Sequence, residues 1–166
     1  MLGSRLRVSQ RPEFNGAVRH QVTKRLPYAP EKLFDLVGDV DRYPDFVPWI
    51  NGMRTWNARV DDDGVSWVDA EVKVGFSFLK ERFSTRVRRD PRANQIDVGL
   101  ISGPFDRLRN RWIFEPNEGG SEVRFDIDFA FKSKMLDKLL QTNFELAVDR
   151  LMACFEDRAR ALYGQD

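Results

Sequence analysis

Between residues 50 and 131 the apolar residues of this chain recur at every second position, and from residue 133 to 163 they recur at every third or fourth. A period of two sends alternate side chains to opposite faces of a strand; steps of three and four line one face of a helix. A chain that makes this switch once, and late, has to lay one long helix against a sheet of consecutive antiparallel strands. The alternation is explicit. Val68, Ala70, Val72 and Val74 oppose Trp67, Asp69, Glu71 and Lys73, and Phe83, Thr85 and Val87 oppose Arg82, Ser84, Arg86 and Arg88. Ile96, Val98 and Leu100 share a face, as do Leu108, Asn110, Trp112 and Phe114. The cleanest strand sets Val123, Phe125, Ile127, Phe129 and Phe131 against Glu122, Arg124, Asp126 and Asp128. Turns fall at Asp62-Asp63-Gly64, at RDPRAN and at NEGG.

Ahead of this run, residues 19–26 alternate as a strand, and PYAPEKLFDLVGDV reads as a helix with Pro30 in its first turn and Gly38 at its end. Behind it, no Pro or Gly interrupts Ser133 to Tyr163, and Gly164 follows as a cap. That stretch predicts one helix of about 30 residues, roughly 45 Å long. The expected fold is α+β: a curved antiparallel sheet of about six or seven strands wrapped around a long C-terminal helix, with short helices after strand 1. A twisted sheet and a straight helix do not match along their whole length, so an apolar gap is expected between them. Residues 1–17 carry no clear period and are read as a disordered tail, with 18–166 as a single domain.

Composition narrows the function. Charged residues are 32% of the chain but the net charge is +1, which argues against a protein held to nucleic acid by overall charge. The single Cys154 excludes an internal disulfide and a cysteine metal cluster. The single His20 leaves no second histidine for a metal and no convincing Ser-His-Asp set; it is read as a surface or edge-strand residue. Cys154, between Met152 and Phe155, is read as a buried structural thiol. No apolar run approaches the roughly 20 residues of a bilayer span, and a cytoplasmic protein is expected, with a peripheral contact at the inner membrane as an extension.

The loop DRYPDFVPWI raises a separate question. Pro44 and Pro48 stiffen it, yet it carries Phe46, Val47 and Trp49. One reading is a plug that caps the core; the other is a lip over the mouth of the expected gap. A second loop, SGPFDRL, presents Phe105 beside Arg107 and Arg109, and the two loops together could dip into a membrane surface.

The order of elements, with the strings LFDLVGDVDRYPDFVPW, FLKERFSTRV, SGPFDRLRNRWIFEP and FEDRARALYG, resembles the START-like (helix-grip, polyketide cyclase/dehydrase-like) superfamily. It is most similar to the coenzyme Q-binding subgroup, which also includes ribosome-association toxin proteins. The resemblance implies binding of ubiquinone or a related hydrophobic lipid in the helix-grip cavity, in support of respiration; from the residues themselves, no catalysis and no required cofactor are expected. A ribosome-associated factor on the large subunit is the alternative, and a cyclase- or dehydratase-like enzyme is a third.

A quinone slot needs flat and branched apolar walls with a few polar groups. Candidate walls are Phe83, Val98, Leu100, Trp112, Phe114, Phe125 and Phe129 from the sheet, and Leu140, Phe144, Val148 and Met152 from the helix; ordinary core packing explains the same set. Asn110, on an apolar register, could offer its amide to a carbonyl oxygen or bond to backbone. Asp69 or Glu71 could turn inward as a hidden acid. Arg82, Arg86, Arg88, Arg107, Arg109 and Arg111 alternate on the opposite register. They are either a solvated face paired with Glu122, Asp126 and Asp128, or a basic stripe for lipid head groups or ribosomal RNA.

Overall fold

The computed structural model describes residues 7–12, 18–76 and 79–164. Eight strands form one antiparallel sheet in the order β1-β2-β8-β7-β6-β5-β4-β3. They are β1 (Arg7–Pro12), β2 (Val18–Leu26), β3 (Ile50–Val60), β4 (Ser66–Phe76), β5 (Leu79–Asp90), β6 (Gln95–Ser102), β7 (Phe105–Asn117) and β8 (Gly120–Phe131). Strands β3 to β8 follow one another as hairpins, while β2 crosses over to pair with β8, Val22 opposite Phe125. The helices are α1 (Pro30–Gly38), α2 (Tyr43–Phe46) after a single 3₁₀ turn, α3 (Lys134–Thr142) and α4 (Phe144–Tyr163).

The alternation places the expected residues inside. Val68, Ala70, Val87, Ile96, Trp112, Phe114, Val123, Phe125, Phe129 and Phe131 are all buried in one core, and Val72 is buried beside them on β4. In α1, Leu33, Phe34, Leu36 and Val37 are buried, and Pro30 occupies the first turn, where no amide hydrogen bond is forfeited. The carboxylate of Asp61 accepts from the amides of Asp63 and Val65, which closes the β3–β4 turn. Gly103, at φ +147°, lets the β6–β7 loop close onto β5; a Cβ there would sit 2.5 Å from that of Phe83.

Two features depart from the sequence reading. Arg7–Pro12, inside the segment read as a tail, is an edge strand paired with β2 from Arg7 opposite Thr23 to Pro12 opposite Val18. An edge strand is held by main-chain hydrogen bonds and needs no apolar period, so the sequence pattern does not mark it. The rest of that segment, 1–6 and 13–17, lies outside the described residues.

The C-terminal helix is the second departure: it is two helices, broken at Asn143. Asn143 leaves helical geometry (φ −104°, ψ 21°), and its side-chain amide donates to the Leu139 carbonyl at 2.7 Å. Asparagine competes for backbone groups in this way without the warning that Pro or Gly would give. The break lets α3 tilt onto β8. Ser133 caps α3 by accepting from the Leu136 amide, and Asp137 accepts from the Phe131 amide at 3.0 Å.

Candidate functional site

Between the concave face of the sheet and α3–α4 lies a cavity of about 400 Å³. Strands β5 to β8 form its back wall through Phe83, Thr85, Val87, Val98, Leu108, Asn110, Trp112, Phe125, Ile127 and Phe129. Leu140, Phe144, Val148, Leu151 and Phe155 close the helical side, with Tyr43, Trp49 and Met53 at the flank. Ala147 and Arg150 also line it and are exposed, so it reaches solvent along that edge of α4. A single cross-strand row runs through the sheet: Val68, Val87, Val98, Asn110, Ile127, His20. Asn110 stands mid-row with an apolar neighbour on either side.

Of the candidate wall residues, Trp49, Phe83, Val98, Phe105, Asn110, Trp112, Phe125, Phe129, Leu140, Phe144 and Val148 line the cavity; Phe46, Val47, Leu100, Phe114 and Met152 do not. Phe114 and Met152 share the right periodicity but lie in solid core, Phe114 stacked behind Trp112 at 6.1 Å. Leu100 is half-buried against the core. The lip divides. Val47 is wholly buried and Phe46 packs edge-on to Phe155 and Tyr43, so both plug the core, while Trp49 alone of the three reaches the cavity. Phe105 is not presented outward: it is buried, stacked on Phe131 at 4.4 Å and edge-on to Phe83 at 5.2 Å. The pair of membrane-dipping aromatic loops is thus absent, because both rings find apolar partners inside. Tyr43, Met53, Leu151 and Phe155 are cavity residues missed by the reading. Leu151 and Phe155 lie on the same helical stripe as Phe144 and Val148 and were legible; Tyr43 and Met53 depend on how the lip folds.

The match to known proteins settles the family. A family model described as polyketide cyclase/dehydrase and lipid transport matches residues 26–156. The chain belongs to this START-like family. Within it, the chain is 38% identical over 143 residues to "Ribosome association toxin RatA" of Rickettsia prowazekii, covering 84% of this chain and 94% of that one. It is 29% identical over 153 residues to "Coenzyme Q-binding protein COQ10 homolog B, mitochondrial" of Xenopus laevis, covering 89% of this chain and 60% of that one. The solution structure of the 18 kDa protein CC1736 from Caulobacter crescentus is 60% identical, with a TM-score of 0.76 over 89% of this chain and 99% of that one.

Other features of this family member differ from the sequence reading. His20 is neither on the surface nor on an edge strand. It is 1% exposed, stacked on Phe144 at 3.9 Å, and its Nε2 lies 2.7 Å from Gln141 Oε1. Gln141 in turn donates to the Phe129 carbonyl at 3.1 Å. This chain of contacts pins the α3–α4 junction to the sheet; strand β1 beyond β2 is what moved His20 off the edge. Cys154 is only half-buried, and burial pushes its thiol up, as does Asp157.

Among the described residues no carboxylate lines the cavity. Asp69 is buried, but on the convex register, where Arg86 donates to it at 2.8 and 3.1 Å and Asn57 at 3.1 Å. The Arg86 guanidinium holds the Asp69 carboxyl below the usual carboxylate range, with burial opposing. Of the convex arginines, Arg107 and Arg109 pair with Asp128 as expected, while Arg86 pairs with Asp69, and Arg88 and Arg111 with Asp97, acids outside the expected set. Arg107 donates to Asp128 at 2.8 Å and Arg111 to Asp97 at 2.6 Å. Tyr43 donates its hydroxyl to the Val37 carbonyl, and burial raises its ionisation well above the ordinary tyrosine value. Among the described residues no group of three or more His, Cys, Asp or Glu could hold a metal, and no helix is long and apolar enough to cross a membrane.

Proposed function

We propose that this chain is a non-catalytic lipid-binding protein whose ligand is a polyprenyl quinone, with ubiquinone favoured, carried for respiratory electron transport. The observation that carries the reading is the 400 Å³ apolar cavity under the sheet. An engineered cavity of about 150 Å³ takes one benzene, or about 25 Å³ per heavy atom, so 400 Å³ houses about 16 heavy atoms. That matches a substituted quinone ring with the first few atoms of its prenyl chain. The remaining tail leaves along the open edge by Ala147 and Arg150, towards a membrane or another apolar surface. Among the described residues the cavity walls contain no Asp, Glu or His, which supports binding over acid–base chemistry. The name of the Xenopus relative, a coenzyme Q-binding protein, supports a coenzyme Q ligand. Organic extraction of the purified protein followed by mass spectrometry tests this: a co-purifying polyprenyl quinone is the expected result, and an empty protein that also refuses added quinone refutes it.

A second reading is a factor that associates with the large ribosomal subunit, supported by the name of the Rickettsia relative. On this chain the convex end of the sheet adds to it. Trp56 is exposed with Arg54 over its ring at 4.5 Å, and Arg59 lies over Trp67 at 5.1 Å. Aromatic rings interleaved with arginine, Trp56 exposed and Trp67 half-buried, suit RNA bases and phosphates. Salt-sensitive co-sedimentation with large ribosomal subunits, lost on Trp56→Ala together with Arg59→Ala, would support this reading.

A further inference from the structure

We propose that Asn110 is the specificity-determining residue of the cavity, and that it selects ligands whose buried end carries a hydrogen-bonding oxygen on a ring or chain. The proposal rests on the lipid-binding reading above and names the ligand class for that site. Asn110 stands in the middle of β7, in the central cross-strand row, with Val98 beside it on β6 and Ile127 on β8. Leu108 and Trp112 flank it along its own strand on the same face, and all of these line the cavity. An apolar side chain is what this position calls for, since asparagine is a poor strand former and an isolated amide in an oily wall is unfavourable.

The amide is unspent. It makes no hydrogen bond to any described residue, and its Oδ1 is buried without a partner. The backbone contact that would make it structural is therefore missing. The other polar groups of the wall are differently placed. The Tyr43 hydroxyl is committed to the Val37 carbonyl, and Arg150 sits at the exposed edge of α4. Thr85, on β5, is opposite Leu100 and so stands off the Asn110 row. An amide offers both a donor and an acceptor, so a carbonyl meets its NH₂ and a hydroxyl meets its oxygen. A bare hydrocarbon satisfies neither.

The experiment compares three probes of one tail length by calorimetry or tryptophan quenching: a decyl-substituted benzoquinone, its hydroquinone, and decylbenzene. Wild type is expected to bind both oxygenated probes about tenfold or more tightly over decylbenzene. In Asn110→Leu that preference collapses to about twofold, decylbenzene affinity is kept, and the unfolding midpoint holds or rises because an unpaired polar group has been removed. Asn110→Val, a stronger strand former, gives the same result. If the preference survives in both variants, Asn110 is not the selector, and the cavity reading stands. If wild type binds none of the three probes, the lipid reading itself fails.

Discussion

Replacing Val98 with phenylalanine turns the cavity into a question with a sign. Val98 lies mid-sheet, paired with Val87 and Asn110, yet it is only half-buried because it faces the hollow. The substitution adds four carbons, about 100 Å³ at 25 Å³ per heavy atom, or roughly a quarter of the cavity. Burying those carbons is worth at most about 3 kcal/mol at 0.8 kcal/mol per carbon. Rotamer ordering and the open edge reduce this to a net gain of about 1–2 kcal/mol. In a core without a void the same change overpacks and costs about 1–3 kcal/mol. Urea unfolding therefore separates the cases by direction. The variant should be more stable than wild type, with a thermal midpoint higher by roughly 2–8 °C at 2–4 °C per kcal/mol. Its capacity for a quinone probe should fall sharply. A destabilised variant that binds the probe as wild type does would refute the argument.

Two further outcomes are expected. Asp69 has its carboxyl lowered by Arg86 in the folded state, so the stability it contributes is present above the unfolded carboxylate value and lost as pH falls through the folded value. Urea midpoints measured from about pH 5 down to pH 2 should decline less steeply in Asp69→Asn than in wild type. Gly103→Ala forces a side chain into φ +147° and against Phe83, and should cost about 1–3 kcal/mol in urea unfolding while weakening probe binding through the displaced Phe83 ring.

The alternating register from Val68 to Phe131 and the stripe through Phe144, Val148 and Phe155 are one-dimensional patterns, and each was readable along the chain. They fix which face of every strand is apolar, and so the helix-grip architecture, because burial is the dominant driving force and the pleat repeats strictly by two. The same patterns do not distinguish a wall from a core. Phe125 and Phe114 obey one rule, yet one lines the hollow and the other lies behind Trp112. That difference arises where the sheet curves away from the helix. It depends on the tilt of α3 that Asn143 releases and on the clasp from Gln141 to His20 and the Phe129 carbonyl.

What the sequence by itself determined is the set of apolar faces, the hairpin order and the late switch to helix, since these follow from local period and turn chemistry. The edge strand at Arg7–Pro12, the broken terminal helix, the burial of His20 and the unspent amide of Asn110 were decided only by the tertiary structure. Each depends on which distant groups meet in space: a hydrogen-bond partner, or the lack of one, is a property of the packed chain and not of any window along it.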